Sequence, residues 1–246
     1  MAFCTMTFRG ESLGKQCAMN LIIPDRVKTR KKLCVLYQLH GMSDNHMDWT
    51  LRSSIARYVT DLPLMVVMPD GERGFYCDAV EGAAFETHIM KDVMGFVERF
   101  FPVRKERRGR AIGGLSMGGY GSMKLALKHP DVFCSVVSHS SAMDFGHAPI
   151  RADIPEWGRI LGDKPSDGKD DLWTITDRLT PSKAPAIRFD CGKDDGLLDS
   201  NRRFHRQLLK RKIKHQYREY PGGHDWGYWD EHVQEALAFH SKHLKL

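Results

Sequence analysis

The sequence lacks the segments that mark an exported or membrane-inserted protein. No apolar run approaches the length of a membrane-spanning helix. The first ten residues have no apolar core of signal-peptide length and include Arg9. Internal repeats and low-complexity tracts are also missing, which excludes repeat architectures. We therefore expect a cytoplasmic protein with no membrane partner.

The cysteines and histidines form none of the usual disulfide or metal-binding motifs. The six cysteines include no C-x-x-C pair, and Cys34, Cys134 and Cys191 lie inside apolar runs. Buried free thiols in a reducing compartment are therefore expected, and not a disulfide framework. The 12 histidines include no H-E-x-x-H motif. We expect no metal site.

Positive charge is in only modest excess, with 37 basic and 31 acidic residues and a formal net charge of +6. The basic residues cluster at Arg26–Lys32, Arg104–Arg110 and Lys210–Lys214, between predicted elements or at helix ends. A nucleic-acid-binding surface would interleave basic and aromatic residues on one face, and these clusters do not. They are interpreted as solvated surface, with no nucleic-acid partner. The sequence leaves a homo-oligomer open.

Predicted strands alternate with predicted helices along most of the chain. Strands are predicted at Ala2–Phe8, Ala18–Pro24, Leu33–Leu39, Leu64–Met68, Arg110–Ile112, Phe133–Ser138, Ala186–Cys191 and His215–Tyr220. Helices are predicted at Thr50–Asp61, Phe85–Phe101, Tyr120–Lys128, Ser200–Lys212 and Trp229–His243. This alternation predicts an α/β protein with a mostly parallel sheet and helices on both faces. One domain over residues 1–246 is expected.

The segment Asp144–Ala184 interrupts this rhythm and contains four prolines. Short helices are predicted in it near Pro155–Leu161 and Asp170–Leu179. We expect the segment to form a small cap over the site.

The turn between the fifth strand and the helix that follows carries a G-x-S-x-G motif centred on Ser116. Gly114 and Gly118 allow the strand and the helix to approach closely, which leaves the serine exposed on a tight turn. The helix N-terminus beneath it favours negative charge at the reacting centre. Ser116 is therefore the candidate nucleophile.

A serine hydroxyl needs a base on its proton, and the base needs an orienting anion. His224 is the candidate base, because the two glycines before it free a loop that projects its imidazole. The turn after Cys191 supplies two acids, Asp194 and Asp195. Asp195 is preferred because it lies further from the strand end, and Asp194 stays open as the alternative. The resulting chain order, serine then acid then histidine, is that of α/β-hydrolases.

An oxyanion needs two backbone N–H donors. Met117, directly after the nucleophile, supplies one, and Met42 in the loop after the third strand supplies the other. Aromatic and loop residues near these ends are expected to contact the substrate: His40, Gly41, Trp49, Tyr76, Trp157 and Trp226.

Four segments together resemble the tributyrin esterase/esterase D type of α/β-hydrolase. They are LHGMSDNH at 39–46, GLSMGGYG at 114–121, CGKDD at 191–195 and GHDW at 223–226. That group includes short-chain carboxylesterases, S-formylglutathione hydrolases, and feruloyl and acetyl esterases, and the resemblance runs from about Met19 to the C-terminus. It implies the α/β-hydrolase fold, the triad Ser116, Asp195 and His224, and oxyanion donors Met42 and Met117. Gly196 departs from the pattern, since such proteins often carry a large residue there.

The function expected from these residues and this resemblance is hydrolysis of esters of short-chain or small aryl acids through an acyl-enzyme. No metal or organic cofactor is needed for this chemistry, and the partner is a small-molecule ester. Three alternatives remain: an S-formylglutathione hydrolase-like thioesterase, a feruloyl or acetyl esterase acting on plant-derived esters, and an acyltransferase.

Overall fold

The computed structural model describes residues 1–25, 32–147, 154–162 and 168–246. Eight strands in this part of the chain form one sheet: β1 (Ala2–Gly10), β2 (Lys15–Ile23), β3 (Cys34–Leu39), β4 (Leu64–Pro69), β5 (Arg110–Leu115), β6 (Ser135–His139), β7 (Ala186–Gly192) and β8 (Gln216–Tyr220). Helices on its faces include α1 (Asp48–Leu51), α2 (Ile55–Tyr58), α3 (Phe85–Thr87), α4 (Met94–Phe100), α5 (Ser116–Lys128), α6 (Glu156–Leu161), α7 (Leu172–Arg178), α8 (Leu198–Lys210) and α9 (Trp226–Leu244).

The strand order is β1-β2-β4-β3-β5-β6-β7-β8. β2 pairs antiparallel with β1 and β4, whereas every neighbouring pair from β4 through β8 is parallel. The expected mostly parallel α/β sheet is therefore confirmed. The order reverses beside β3, which has β4 on one side and β5 on the other. Ligands of such sheets bind beyond the carboxyl ends of the strands at this reversal.

The core lies on both faces of the sheet. Along β3, Val35 and Tyr37 belong to one apolar cluster, while Cys34 and Leu36 belong to a second cluster on the opposite face. Successive side chains of a strand alternate between faces, so a strand covered on both sides is a continuous apolar run. This explains why Leu33–Leu39 contains so few polar residues.

Two predicted helices are less regular than their spacing suggests. The predicted helix Thr50–Asp61 is instead two single-turn helices, α1 and α2, separated at Ser53 and Ser54. Ser54 donates its backbone N–H to Asp230 Oδ1 at 2.6 Å, and serine side chains compete with helical hydrogen bonds. The predicted helix Phe85–Phe101 contains a π-helical stretch, His88–Val93, between α3 and α4.

Part of the expected cap, 148–153 and 163–167, lies outside the described residues. The two helices predicted in it are present as α6 and α7. α6 is joined to the loop after β4 by backbone hydrogen bonds from Val80 N to Ile160 O, 3.0 Å, and from Glu81 N to Arg159 O, 2.9 Å. Across the described ranges, none of the helices combines the length and apolar character needed to cross a bilayer.

Candidate active site

Ser116 lies on a strained turn between β5 and α5. Its φ is 52°, in the left-handed region that non-glycine residues rarely adopt. A Cβ on Gly114 would lie 2.5 Å from Gly118 O, and one on Gly118 would lie 2.5 Å from His40 O. Both positions therefore require glycine. The close approach they permit presses the turn against the loop after β3 and leaves Ser116 partly accessible.

The structure brings Ser116, His224 and Asp195 into one hydrogen-bonded chain. His224 Nε2 lies 3.0 Å from Ser116 Oγ, and His224 Nδ1 lies 2.9 Å from Asp195 Oδ2. The Asp195 side chain is fully buried, whereas the neighbouring Asp194 is exposed. Of the two acids that the sequence left open, Asp195 is thus the one that faces the imidazole.

Asp195 is held as an anion. Burial alone would raise the pKa of its carboxyl group, but the hydrogen bonds from His224 and from the Leu197 N–H outweigh burial and lower the pKa below its ordinary value. The Leu197 N–H donates to Oδ1 at 2.8 Å, which leaves Oδ2 for the imidazole. A carboxylate in this position favours the histidine tautomer that carries its proton on Nδ1.

The loop after β3 forms a tight turn around Met42. Gly41 N–H donates to Asp44 Oδ2 at 3.2 Å, and Asp44 N–H donates to Gly41 O at 3.2 Å. Met117 is in the first turn of α5, where backbone N–H groups have no partner within the helix. Met42 lines both of the cavities that Ser116 lines, and Met117 directly follows Ser116, so the two amides remain the candidate donors to a developing oxyanion.

Three residues expected to contact the substrate instead support this loop. His40 is buried; its Nε2 accepts from Gly71 N–H at 2.8 Å, and Nδ1 lies 2.7 Å from Gly41 O. The buried Tyr76 hydroxyl donates to His40 O at 3.0 Å. The buried Trp49 indole donates to Leu39 O at 3.0 Å. These hydrogen bonds, to the end of β3 and to the loops after β3 and β4, turn each ring into the core; contact of the three residues with substrate stays a prediction.

A cavity of about 580 Å³ opens from Ser116 toward α6. We call it the cap-side cavity. Its aromatic and aliphatic walls include Met42, Phe75, Phe145, Ile154, Leu197 and the predicted Trp157. A Cβ on Gly196, which also lines it, would have no heavy atom within 4 Å. The missing large side chain at this position therefore widens the cavity.

A second cavity, of about 480 Å³, lies on the α9 side of Ser116. We call it the α9-side cavity. It is lined by the predicted Gly41 and Trp226 together with Asp44, Arg52, Asp225 and Trp229. The Trp229 ring lies edge-on to His224 at 5.0 Å between centroids. The nucleophile and the histidine thus face two separate spaces, one mainly apolar and one more polar.

Sequence reasoning did not identify Phe145 or Arg73 as cavity residues. Phe145 stacks on Phe75 with ring centroids 4.0 Å apart, and Arg73 forms a bidentate ion pair with Glu156 on α6. Neither residue belongs to a motif or a periodic pattern. Their positions follow from tertiary packing of Phe145 and α6 against the loop after β4, for which the sequence carries no local signal.

The chain matches known esterases in sequence and in structure. The Esterase family model matches residues 10–240. An acetyl esterase of Caldicellulosiruptor saccharolyticus is 31% identical, over 98% of this chain and 99% of that protein. Fluorophosphonate-binding serine hydrolase F of Staphylococcus aureus is 27% identical, with a TM-score of 0.87 over 97% of this chain and 98% of that chain. S-formylglutathione hydrolase of Staphylococcus aureus is 26% identical, with a TM-score of 0.85 over the same shares. This chain therefore belongs to the Esterase family, and it is a carboxylic ester hydrolase with the α/β-hydrolase fold.

Proposed function

We propose that Ser116, His224 and Asp195 carry out ester hydrolysis through an acyl-enzyme. The observation that carries this proposal is the continuous hydrogen-bonded chain from Ser116 Oγ through the imidazole to a buried carboxylate, at the mouth of a cavity. A serine placed on a strained turn at the start of a helix suits the same chemistry.

In the first half-reaction His224 takes the Ser116 proton while Oγ attacks the ester carbonyl carbon. The carbonyl oxygen gains negative charge, which the amides of Met42 and Met117 stabilise. His224 then gives its proton to the leaving alcohol, and the acyl group stays on Ser116. In the second half-reaction His224 deprotonates water, which attacks the acyl carbon and releases the acid and the free serine. Asp195 stays ionised throughout.

We assign the acyl group to the cap-side cavity and the alcohol to the α9-side cavity. The cap-side cavity is mainly apolar and aromatic, which suits a short-chain or small aryl acyl group. The α9-side cavity carries charged groups and two tryptophans, which suits a more polar alcohol. The substrates proposed are therefore esters of short-chain or small aryl acids, and the acetyl esterase relative supports the short-chain members of this class.

A thioesterase activity is the second candidate. The observation in its favour is the likeness to an S-formylglutathione hydrolase over nearly the whole chain. The same three residues would attack a thioester carbonyl, and a thiolate would leave.

We also place the enzyme in the cytoplasm, since six free cysteines are compatible with a reducing compartment.

The decisive experiment combines Ser116→Ala with a fluorophosphonate probe and a substrate series. The wild-type enzyme should release a burst of p-nitrophenol from p-nitrophenyl acetate and become labelled on one serine. Ser116→Ala should lose both signals while keeping its circular dichroism spectrum. Persistent labelling of Ser116→Ala would contradict the nucleophile assignment.

The substrate series separates the two candidate functions. Acetyl, butyryl and aryl-acyl esters should be turned over with higher kcat/KM than S-formylglutathione. A kcat/KM for the glutathione thioester that exceeds all of the oxygen esters would favour the thioesterase.

A further inference from the structure

A lysine ammonium group is fully buried beneath the active site. Lys124 lies two turns after Ser116 in α5, and its side chain has no exposed surface. Its Nζ lies within hydrogen-bond distance of four acceptors: Tyr76 O at 2.7 Å, Glu86 Oε2 at 2.8 Å, Asp170 Oδ1 at 3.1 Å and Cys77 Sγ at 3.2 Å. These acceptors come from the loop after β4, from α3 and from the cap segment. One cation therefore connects three separate parts of the chain to the helix that carries the nucleophile.

The loop that Lys124 contacts is strained. Phe75 and Tyr76 are consecutive non-glycine residues with φ of 47° and 53°. Backbone of this kind persists only where the surrounding structure determines it. Tyr76 is fixed from two directions, because its carbonyl accepts from Lys124 and its hydroxyl donates to His40 O at 3.0 Å. The ammonium group thus helps to hold a backbone conformation that the loop would not adopt alone.

The same loop forms the aromatic wall of the cap-side cavity. Phe75 stacks on Phe145 at 4.0 Å, and the Trp157 ring lies edge-on to Phe145 at 5.0 Å. Tyr120, one turn before Lys124 on α5, packs behind Phe145 at 4.9 Å, and its hydroxyl donates to Asp170 O at 2.5 Å. Two residues of α5, Tyr120 and Lys124, therefore support the wall, and both of them hydrogen-bond Asp170.

Lys124 stays charged in this environment. Burial alone would lower its pKa, but the neighbouring Cys77, Asp170 and Glu86 side chains raise it above the ordinary value. Glu86 also accepts from Lys128 at 2.9 Å and lies 3.0 Å from His129 Nε2, both nearer the surface. Lys128 thus shares Glu86 with Lys124 and also lies 3.7 Å from Asp170 Oδ1, but among the described residues none of its hydrogen bonds reaches Tyr76.

We propose that Lys124 is a positioning residue for substrate selection: it fixes the Phe75–Phe145–Trp157 wall and so sets the preference for ring-bearing acyl groups, without touching the substrate. This rests on the proposed function, in which the cap-side cavity takes the acyl group. An acetyl group has no ring to pack against this wall, whereas an aryl-acyl group has one. Loss of Lys124 should therefore act on the two substrates unequally.

The test compares Lys124→Met with the matched control Lys128→Met. For each protein, kcat and KM are measured with p-nitrophenyl phenylacetate and p-nitrophenyl acetate. In Lys124→Met the ratio of kcat/KM for the aryl-acyl ester to that for the acetyl ester should fall about tenfold, mainly through a higher KM. In Lys128→Met the ratio should stay within about twofold of wild type. An unchanged ratio in a folded Lys124→Met, or an equal loss on both esters, would overturn the proposal.

Two further measurements keep the outcome clear. Where Lys124→Met does not fold, Asp170→Asn removes one of the same contacts with little change in shape, and it should shift the ratio in the same direction by about threefold. Affinity for cinnamate, measured by tryptophan fluorescence, reports on the cavity without any turnover. The positioning role is supported if cinnamate binds about tenfold more weakly to Lys124→Met and equally well to Lys128→Met. This support holds even if wild-type hydrolysis does not depend on Ser116. Equal cinnamate affinity in all three proteins refutes it.

Discussion

Replacing Asp195 by asparagine should cripple the enzyme, while the same change at its neighbour Asp194 should be mild. Asp195 Oδ2 accepts from His224 Nδ1 at 2.9 Å, and the Asp195 side chain is fully buried. Asp194 is exposed and lies outside this hydrogen-bonded chain. The two acids are adjacent in sequence, which makes each variant a close control for the other.

The size of the loss follows from the tautomer of His224. An asparagine amide can present its N–H₂ group to Nδ1, which moves the imidazole proton to Nε2 and leaves no lone pair for the Ser116 proton. In a serine protease triad the equivalent change lowers kcat by about 10⁴. At about 1.36 kcal/mol per tenfold change in rate, this is about 5.4 kcal/mol of lost transition-state stabilisation. For Asp194→Asn we expect less than about a threefold change.

The assay is hydrolysis of p-nitrophenyl acetate, with circular dichroism as the check on folding. A loss in kcat with KM nearly unchanged is expected for Asp195→Asn, because the acid orients the base and does not bind the substrate. The reasoning is refuted if folded Asp194→Asn loses more than a hundredfold while Asp195→Asn stays within tenfold of wild type.

Two more predictions concern stability. Gly118→Ala would place a Cβ 2.5 Å from a backbone carbonyl oxygen. It should lower the free energy of unfolding by about 1–3 kcal/mol and remove most of the activity. Gly95→Ala is the control: Gly95 lies in open space on α4, so alanine there should raise the free energy of unfolding by about 0.5–1 kcal/mol. Urea unfolding measures both, and equal effects would argue against the close approach at the turn. Burial alone would raise the pKa of Glu86. The hydrogen bond from His129 and the charge of Lys124 outweigh burial, so the pKa lies below its ordinary value of 4.5. Ionised Glu86 therefore stabilises the fold above about pH 4.5, and this contribution is lost as the pH falls. Glu86→Gln should flatten the decline in melting temperature between about pH 5 and 3, and a decline as steep as that of wild type would contradict this.

Local patterns were sufficient to predict the sheet and the residues at its carboxyl edge. The buried strands were recognisable as apolar runs, and β7 begins at the predicted Ala186 and extends one residue beyond the predicted end. α9 begins at Trp226, three residues before its predicted start, because Asp225 caps it by accepting from Tyr228 N–H at 3.0 Å. A capping aspartate is a local signal that could have placed this boundary.

The walls of the cavities could not be predicted in the same way. His40, Tyr76 and Trp49 are polar or aromatic residues next to the site in sequence, yet each is buried and hydrogen-bonds the end of β3 or the loops after β3 and β4. Phe145 and Lys124 matter through contacts with segments far away along the chain. Side-chain direction and long-range packing are set by the whole fold, so composition and spacing near a motif do not reveal them.

The order of the three site residues along the chain has a consequence for when the site can be completed during synthesis on the ribosome. Ser116 follows β5 in the middle of the sheet, Asp195 follows β7, and His224 follows β8 at the edge. Translation delivers the nucleophile more than a hundred residues before its base. β8 pairs with β7, so it can join the sheet only after residues 216–220 have been translated, when the turn that carries Ser116 has long been made. With the proposed triad, a nascent chain therefore carries Ser116 without its base until β8 and the loop before α9 have been made.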